Sequence, residues 1–370
     1  THRMSSAASD VYKRQQLDST PRNIRYEDEF ESHMTSEIAD DVIEIFQTPL
    51  TGTYNWDYTL QDNRIKKLYE LGKELNWNAN IDVDWSKPFE QISEPPEWFW
   101  DDYEPYQKLS DEKKIEFAKH RNAWSLSQYL HGEQGALLVA SQLTSCAPTY
   151  NAKLYAASQT FDEARHVEAF NKYIQTRTKL MYPIGNALKS ILDKILTDPR
   201  WDLKFIGMQL IIEGLALAAF QATRDLAKDS VLYDMLGLII RDEARHVTFG
   251  VNYLEEFVET LSHDEKEDRA QFAYEACLLS RERLLSTDVY EHFGWDVEDA
   301  RQFQLGSEIM QHFQKLLFSR VMPNLSRIGL LTDSVKEKFD DLGILEFASL
   351  PSDGDIDWAD LSRPLFEESA

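Results

Sequence analysis

The hexapeptide Asp-Glu-Ala-Arg-His-Val occurs twice in this 370-residue chain, at 162–167 and at 242–247. At the same 80-residue offset Glu133 matches Glu213, Ala136 matches Ala216, Leu137 matches Leu217 and Tyr173 matches Tyr253. Chance repetition on this scale is remote, so an internal duplication is the simpler reading. The repeated unit reads as a helical hairpin, with a Glu on its first helix and Glu-x-x-His on its second.

Residues three apart share one face of a helix. Glu163 and His166 therefore project together, as do Glu243 and His246. From Glu133 to the turn at Pro148, and from that turn to Glu163, is about 15 residues each way, or roughly 22 Å of helix. Antiparallel helices then place Glu133 and Glu163 at one depth. Glu213, the turn near Asp229 and Glu243 repeat the arithmetic. Two such hairpins packed together bring four carboxylates and two imidazoles to one level of a four-helix bundle.

The flanks of these residues are apolar, as in Leu210-Ile211-Ile212-Glu213-Gly214-Leu215, so the carboxylates point inward. One carboxylate in such a place is costly to bury, and four repel one another unless protons or cations neutralise them. Two divalent metals balance the charge, and mixed oxygen and nitrogen ligands suit iron, with manganese or a mixed pair also accommodated. A single Asp-Glu-Ala-Arg-His segment would read as a solvated charged face. The duplication and the glutamates in register point instead to metal ligands. Asp162 and Asp242 are placed to accept the far N–H of the ligand imidazoles, and Arg165 and Arg245 to pair with those carboxylates. Gly132, Gly135 and Gly214 either permit close helix approach or leave room beside the site.

The rest of the composition narrows the partners. Acidic residues number 64 against 39 basic, a net charge of −25, which repels nucleic acid and anionic membrane surfaces. The longest apolar stretch, 211–220, contains Glu213 and is about half of the ~20 residues a spanning helix needs, so no membrane segment is expected. Cys146 and Cys277 cannot form a disulfide framework, which suits the cytoplasm. No Gly-x-Gly-x-x-Gly fingerprint is present, so electrons are expected from a separate donor, a ferredoxin or a reductase.

Helical periodicity without strand alternation predicts an all-α chain. Residues 1–15 match nothing downstream and read as a non-native or disordered segment. Residues 16–110 read as an irregular N-terminal arm with a short helix at 63–75. Residues 111–290 form the bundle, with helices expected at 110–146, 150–179, 186–196, 199–227, 231–261 and 262–286. Residues 291–370 supply a helix at 299–321 and an acidic tail packed on the bundle.

These residues resemble the ferritin-like di-iron carboxylate superfamily, whose four-helix bundles hold two metals with this ligand set. The resemblance covers roughly 110–290. Within it, monooxygenases usually carry Thr where this chain has Leu217, and desaturases carry Thr where it has Ala216. Ribonucleotide reductase small subunits usually place a radical Tyr at the position of Phe170. The p-aminobenzoate N-oxygenase type adds a His ligand where this chain has Ile239, so six ligands are expected. With the Tyr-Asn-Trp arm at 54–56 and His-Gly-Glu-Gln-Gly at 131–135, the chain is most similar to ferritin-like oxygenases grouped with the N-oxygenases.

The resemblance implies an O2-activating oxidoreductase that hydroxylates or N-oxygenates a small organic substrate, apolar or aromatic, and it implies a homodimer. Residues one turn from the ligands would line its pocket: Tyr129, Leu137, Gln159, Phe170, Gln209, Leu217, Ile239 and Gly250. Two alternatives stay open. One is a radical-generating or di-metal oxidase of the reductase-subunit type. The other is a ferroxidase, against which the segments 16–110 and 290–370 argue.

Overall fold

The computed structural model describes residues 63–96 and 99–355. The expectations for residues 1–62, including the Tyr-Asn-Trp segment, lie outside the described residues, as does the tail beyond 355. Every regular element among the described residues is helical.

The first hairpin pairs α2 (Asp111–Cys146) with α3 (Tyr150–Tyr173), and the second pairs α5 (Trp201–Leu226) with α6 (Ser230–Glu259). Side-chain caps set most of the starts. Ser110 accepts from the Lys113 amide, Thr149 from Ala152 and Asp229 from Leu232, each satisfying one otherwise orphaned N–H. Around the bundle lie α1 (Asn63–Glu74), packed across α3 and α6, and α4 (Asn186–Thr197), which joins the hairpins. Then follow α7 (His263–Glu282), which opens on a Ser262–Glu265 capping box, α8 (Thr287–His292), α9 (Val297–Gly306), α10 (Glu308–Arg327) and α11 (Asp333–Asp341).

The structure differs from the expected boundaries in four places. The second helix gives way at Ile174–Thr178 to a π-turn that ends on Lys179 with φ +53°. The helix expected from 199 begins at Trp201, because Asp198 folds back onto the amide and guanidinium of Arg200 instead of capping it. The single helix expected at 299–321 is two helices, since Ser307 leaves helical geometry and caps α10. The acidic tail expected after 321, for which no regular element is predicted, carries short 3₁₀ turns at Leu345–Ser349 and Asp353–Asp355.

The α5 helix is also longer and more apolar than 211–220 alone suggested. At 26 residues it would suffice by length and composition to cross a membrane, yet its most apolar stretch is wholly buried within the fold. Its middle, Phe205–Ile212, is wound as a π-helix immediately before Glu213. Such segments cluster at functional sites, where they re-aim a side chain.

Close approach in the bundle needs specific glycines. A Cβ at Gly135 would lie 2.4 Å from Leu192 Cδ2, and one at Gly250 would lie 2.5 Å from Gln209 Cβ. Gly214 has ordinary clearance to Val321, and nothing lies within 4 Å of a Cβ at Gly132.

Candidate metal centre

Glu133 comes from α2, Glu163 and His166 from α3, Glu213 from α5, and Glu243 and His246 from α6. None is more than 4% exposed. They fall into two groups within ligand reach: Glu133, Glu163, His166 and Glu243, and Glu163, Glu213 and His246.

Both imidazoles face the group through Nδ1. His166 Nδ1 lies 3.0 Å from Glu133 Oε2, 3.3 Å from Glu163 Oε2 and 3.1 Å from Glu243 Oε1. His246 Nδ1 lies 3.1 Å from Glu163 Oε1 and 3.7 Å from Glu243 Oε2. Their far nitrogens cross between the repeats. His166 Nε2 reaches Asp242 at 3.2 Å, and His246 Nε2 reaches Asp162 at 3.2 Å. Arg165 and Arg245 each contact both of these aspartates. Trp77 Nε1 donates to Asp242 at 2.7 Å, and its ring stacks on His166 at 6.2 Å. Gln159 donates to Glu213 at 2.7 Å and to Glu163 at 3.2 Å, and Gln209 donates to Gln159. Tyr155, buried against Phe249 with its hydroxyl unpartnered, adjoins the His246 charge; periodicity alone did not single it out.

The donor set fits two divalent metals. An imidazole that donates from Nε2 keeps a lone pair on Nδ1, and here that lone pair faces carboxylate oxygens. Glu163 Oε2, Glu213 Oε2, both Glu243 oxygens and His246 Nδ1 are buried without a hydrogen-bond partner. Buried lone pairs in mutual contact need a cation between them. Metal–ligand bonds of about 2.0–2.2 Å at near right angles leave ligand atoms ~3 Å apart, the spacing seen. Without metal the charges settle on protons. Burial, reinforced by Glu243, raises Glu133 well above the usual carboxylate range, and burial likewise raises Glu213. Burial alone would lower the two histidines, but the surrounding carboxylates raise both well above the usual imidazole value.

Beside the glutamates lies a chamber of about 20 Å³, lined by Gly132, Ala136, Ile212, Ala216 and Phe220 among others. That is room for about one water. A cleft of about 1120 Å³ opens outside it, between residues 89–96, α2, α5 and α10. Gln128, Tyr129 and Arg283 line both spaces. Arg283 Nη1 and Arg121 Nε are buried without a partner, and burial lowers both guanidinium pKa values.

Of the residues expected to line a pocket, Tyr129 does so. The other seven lie elsewhere, because one turn from a ligand on a bundle helix is as often helix interface as cavity. Gln159 and Gln209 form the polar relay to the glutamates. Phe170 packs between Tyr129 and Phe220. Leu217 meets Ala244, and Ile239 is fully buried in an apolar cluster, so that position adds no seventh donor. Gly250 lets α6 approach Gln209, and Leu137 is half-buried and lines neither space. Arg121 and Arg283 were missed. They carry no motif and stand far apart in sequence.

An all-helical bundle that encloses this carboxylate–histidine group defines a ferritin-like di-metal oxidoreductase. The chain belongs to the p-aminobenzoate N-oxygenase AurF family, whose sequence profile matches residues 59–329. No curated protein matches it. Among solved structures it is similar to a glycine-to-phenylalanine mutant of R2-like ligand-binding oxidase with an anaerobically reconstituted Mn/Fe cofactor. The identity there is 19%, with 72% of this chain and 95% of that chain covered and a TM-score of 0.46. It is also similar to dimanganese(II)-NrdF of Streptococcus sanguinis, at 17% identity, 75% and 92% coverage and a TM-score of 0.47.

Proposed function

We propose that the protein uses O2 and electrons from an external ferredoxin or reductase to oxygenate an aromatic substrate that carries an anionic group. An arylamine carboxylate related to the family's namesake substrate is the first choice, and iron is the proposed metal. The observation that carries this reading is the Arg283 guanidinium, which has a buried, unpartnered Nη1 at the junction of cleft and chamber. A buried guanidinium N–H without an acceptor is costly, and in a chain with 25 excess negative charges it is conspicuous. A substrate carboxylate would complete it, with Arg121 as the second donor in the same cleft.

Glu133, Glu163, His166, Glu213, Glu243 and His246 are proposed to hold the two metals. When bound, the pair supplies the electron transfer to O2 that none of these side chains can supply. Asp162 and Asp242 fix the imidazole orientation, and Gln159 fixes two carboxylates. Ile212, Ala216 and Phe220 keep water from the reacting face. Arg283 sets the depth to which an anionic substrate can enter, leaving its far end toward the glutamates.

The test is anaerobic Fe(II) loading of the wild-type protein and of Glu133→Ala, followed by O2 with 4-aminobenzoate or aniline. About two irons per chain, and oxygenation of the carboxylate in preference to aniline, both lost in the variant, are the expected results. Ferric oxide without substrate turnover would overturn the reading in favour of a ferroxidase. A stable radical signal would overturn it in favour of the radical-generating class.

A further inference from the structure

A third group of metal-ligating side chains lies away from the bundle centre. It consists of Glu116 and His120 on α2 and His292 at the end of α8, with one ligand atom from each within 4.8 Å of the others. We propose that these three residues form a separate site for a single divalent transition-metal ion of the zinc type, which clips α8 to α2.

Glu116 and His120 are four apart on a continuous helix, so both project from one face with little freedom to separate. His292 arrives from a segment far away in sequence, and its ring stacks on His120 at 4.2 Å and 22°. One polar atom on each of the two α2 residues is already engaged. His120 Nδ1 is hydrogen-bonded to the Tyr182 hydroxyl, which orients the ring and leaves Nε2 as the ligand, the arrangement that metal-bound histidines adopt. Glu116 Oε2 pairs with Lys113 at 2.7 Å, which leaves Oε1 toward His292. That oxygen stands 4.0 Å from His292 Nε2. This is too long for a hydrogen bond, and it exceeds by about half an ångström the ~3.4 Å that two bonds of about 2.0–2.2 Å subtend at a tetrahedral ion, a gap that a small movement of the solvent-exposed side chains closes.

The site opens to solvent, since the Glu116 and His292 side chains are 37% and 48% exposed. Two imidazoles and one carboxylate suit zinc, nickel or copper above magnesium or calcium. Glu116 precedes Glu133 by 17 residues on one helix, about 25 Å along the axis, so the ion belongs to a centre of its own. Its place has a structural consequence. Just before α8, Ser286 accepts a hydrogen bond from Arg121, so an ion that ties α8 to α2 also steadies one of the two cleft arginines. The site itself stands whether or not the substrate reading holds.

The experiment uses the full chain with its dinuclear centre first filled with iron and its iron content followed throughout. Zn2+ is then titrated in competition with a chromophoric chelator, for the wild type, His292→Gln and His120→Gln. The expected result is one further zinc per chain in the wild type, with affinity reduced at least about ten-fold in both variants, and a zinc-dependent rise in Tm confined to the wild type. His292 is half exposed on the surface, so its replacement tests the ligand with little effect on the fold, even if His120→Gln misfolds. Absence of the extra equivalent at micromolar zinc, or undiminished uptake by His292→Gln, overturns the proposal.

Discussion

His246 donates from Nε2 to Asp162, which belongs to the other repeat, at 3.2 Å. The two hairpins are thereby tied through the groups that aim their imidazoles. Asp162→Asn removes the charge that holds His246 and one partner of each of Arg165 and Arg245. Metal affinity is expected to fall about 10- to 100-fold, as read by Fe(II) or Mn(II) titration. Wild-type affinity in this variant would show that the crossed pairs do not hold the ligands.

Arg283→Gln takes away the cation at the mouth of the chamber. A hydrogen bond to a charged group contributes about 1.5–3 kcal/mol, so KM for a carboxylated arylamine should rise roughly ten- to a hundred-fold. KM for its uncharged analogue should stay within about two-fold. Steady-state kinetics on the two substrates separates a lost anion contact from a general defect.

Two glycines should behave oppositely. Gly132 lines the chamber and has no atom in the way of a side chain. Gly132→Val should therefore leave Tm unchanged while it blocks substrate. Gly250→Ala drives a methyl into Gln209, which supports Gln159 and through it Glu163 and Glu213. Overpacking of this kind costs about 1–3 kcal/mol. A lowered Tm and weaker metal binding in Gly250→Ala, with neither in Gly132→Val, is the expected pattern in calorimetry and metal titration.

Removing the metals should make stability fall with pH. Glu133, Glu213, His166 and His246 all have folded pKa values above their ordinary 4.5 or 6.5. The stability they contribute is complete below those ordinary values and is lost as pH rises through the folded ones. Asp242 works in the other direction. Although it is buried, Arg245 and His166 hold it well below the usual range, so its contribution is lost in acid. The metal-free protein should therefore lose Tm steadily above about pH 6.5, whereas the loaded protein, with cations in place of protons, should change little between pH 6.5 and 9. Scanning calorimetry of both forms decides this, and parallel curves would sink it.

Much of the centre was legible because helices convert spacing into direction. Glu-x-x-His puts two donors on one face, equal legs from a turn put two glutamates at one depth, and the duplication supplies the second half. The helix starts were equally legible at Ser110 and Ser262, where capping chemistry is local. The end of α3 was not, because the π-turn at Ile174–Thr178 trades one hydrogen-bond register for another at a cost that only the surrounding packing offsets.

By itself the sequence determined an all-α chain of two related hairpins, with six buried donors at one level and aspartates poised to support them. All of these follow from helical periodicity and from the cost of burying like charges. Only the tertiary structure decided that the aspartates serve the opposite repeat's histidines. It also brought Arg121 and Arg283 to one cleft, and turned residues expected to line a pocket into packing and relay. Contacts between elements depend on how the helices are rotated and spaced against one another, and no pattern along a single helix carries that information.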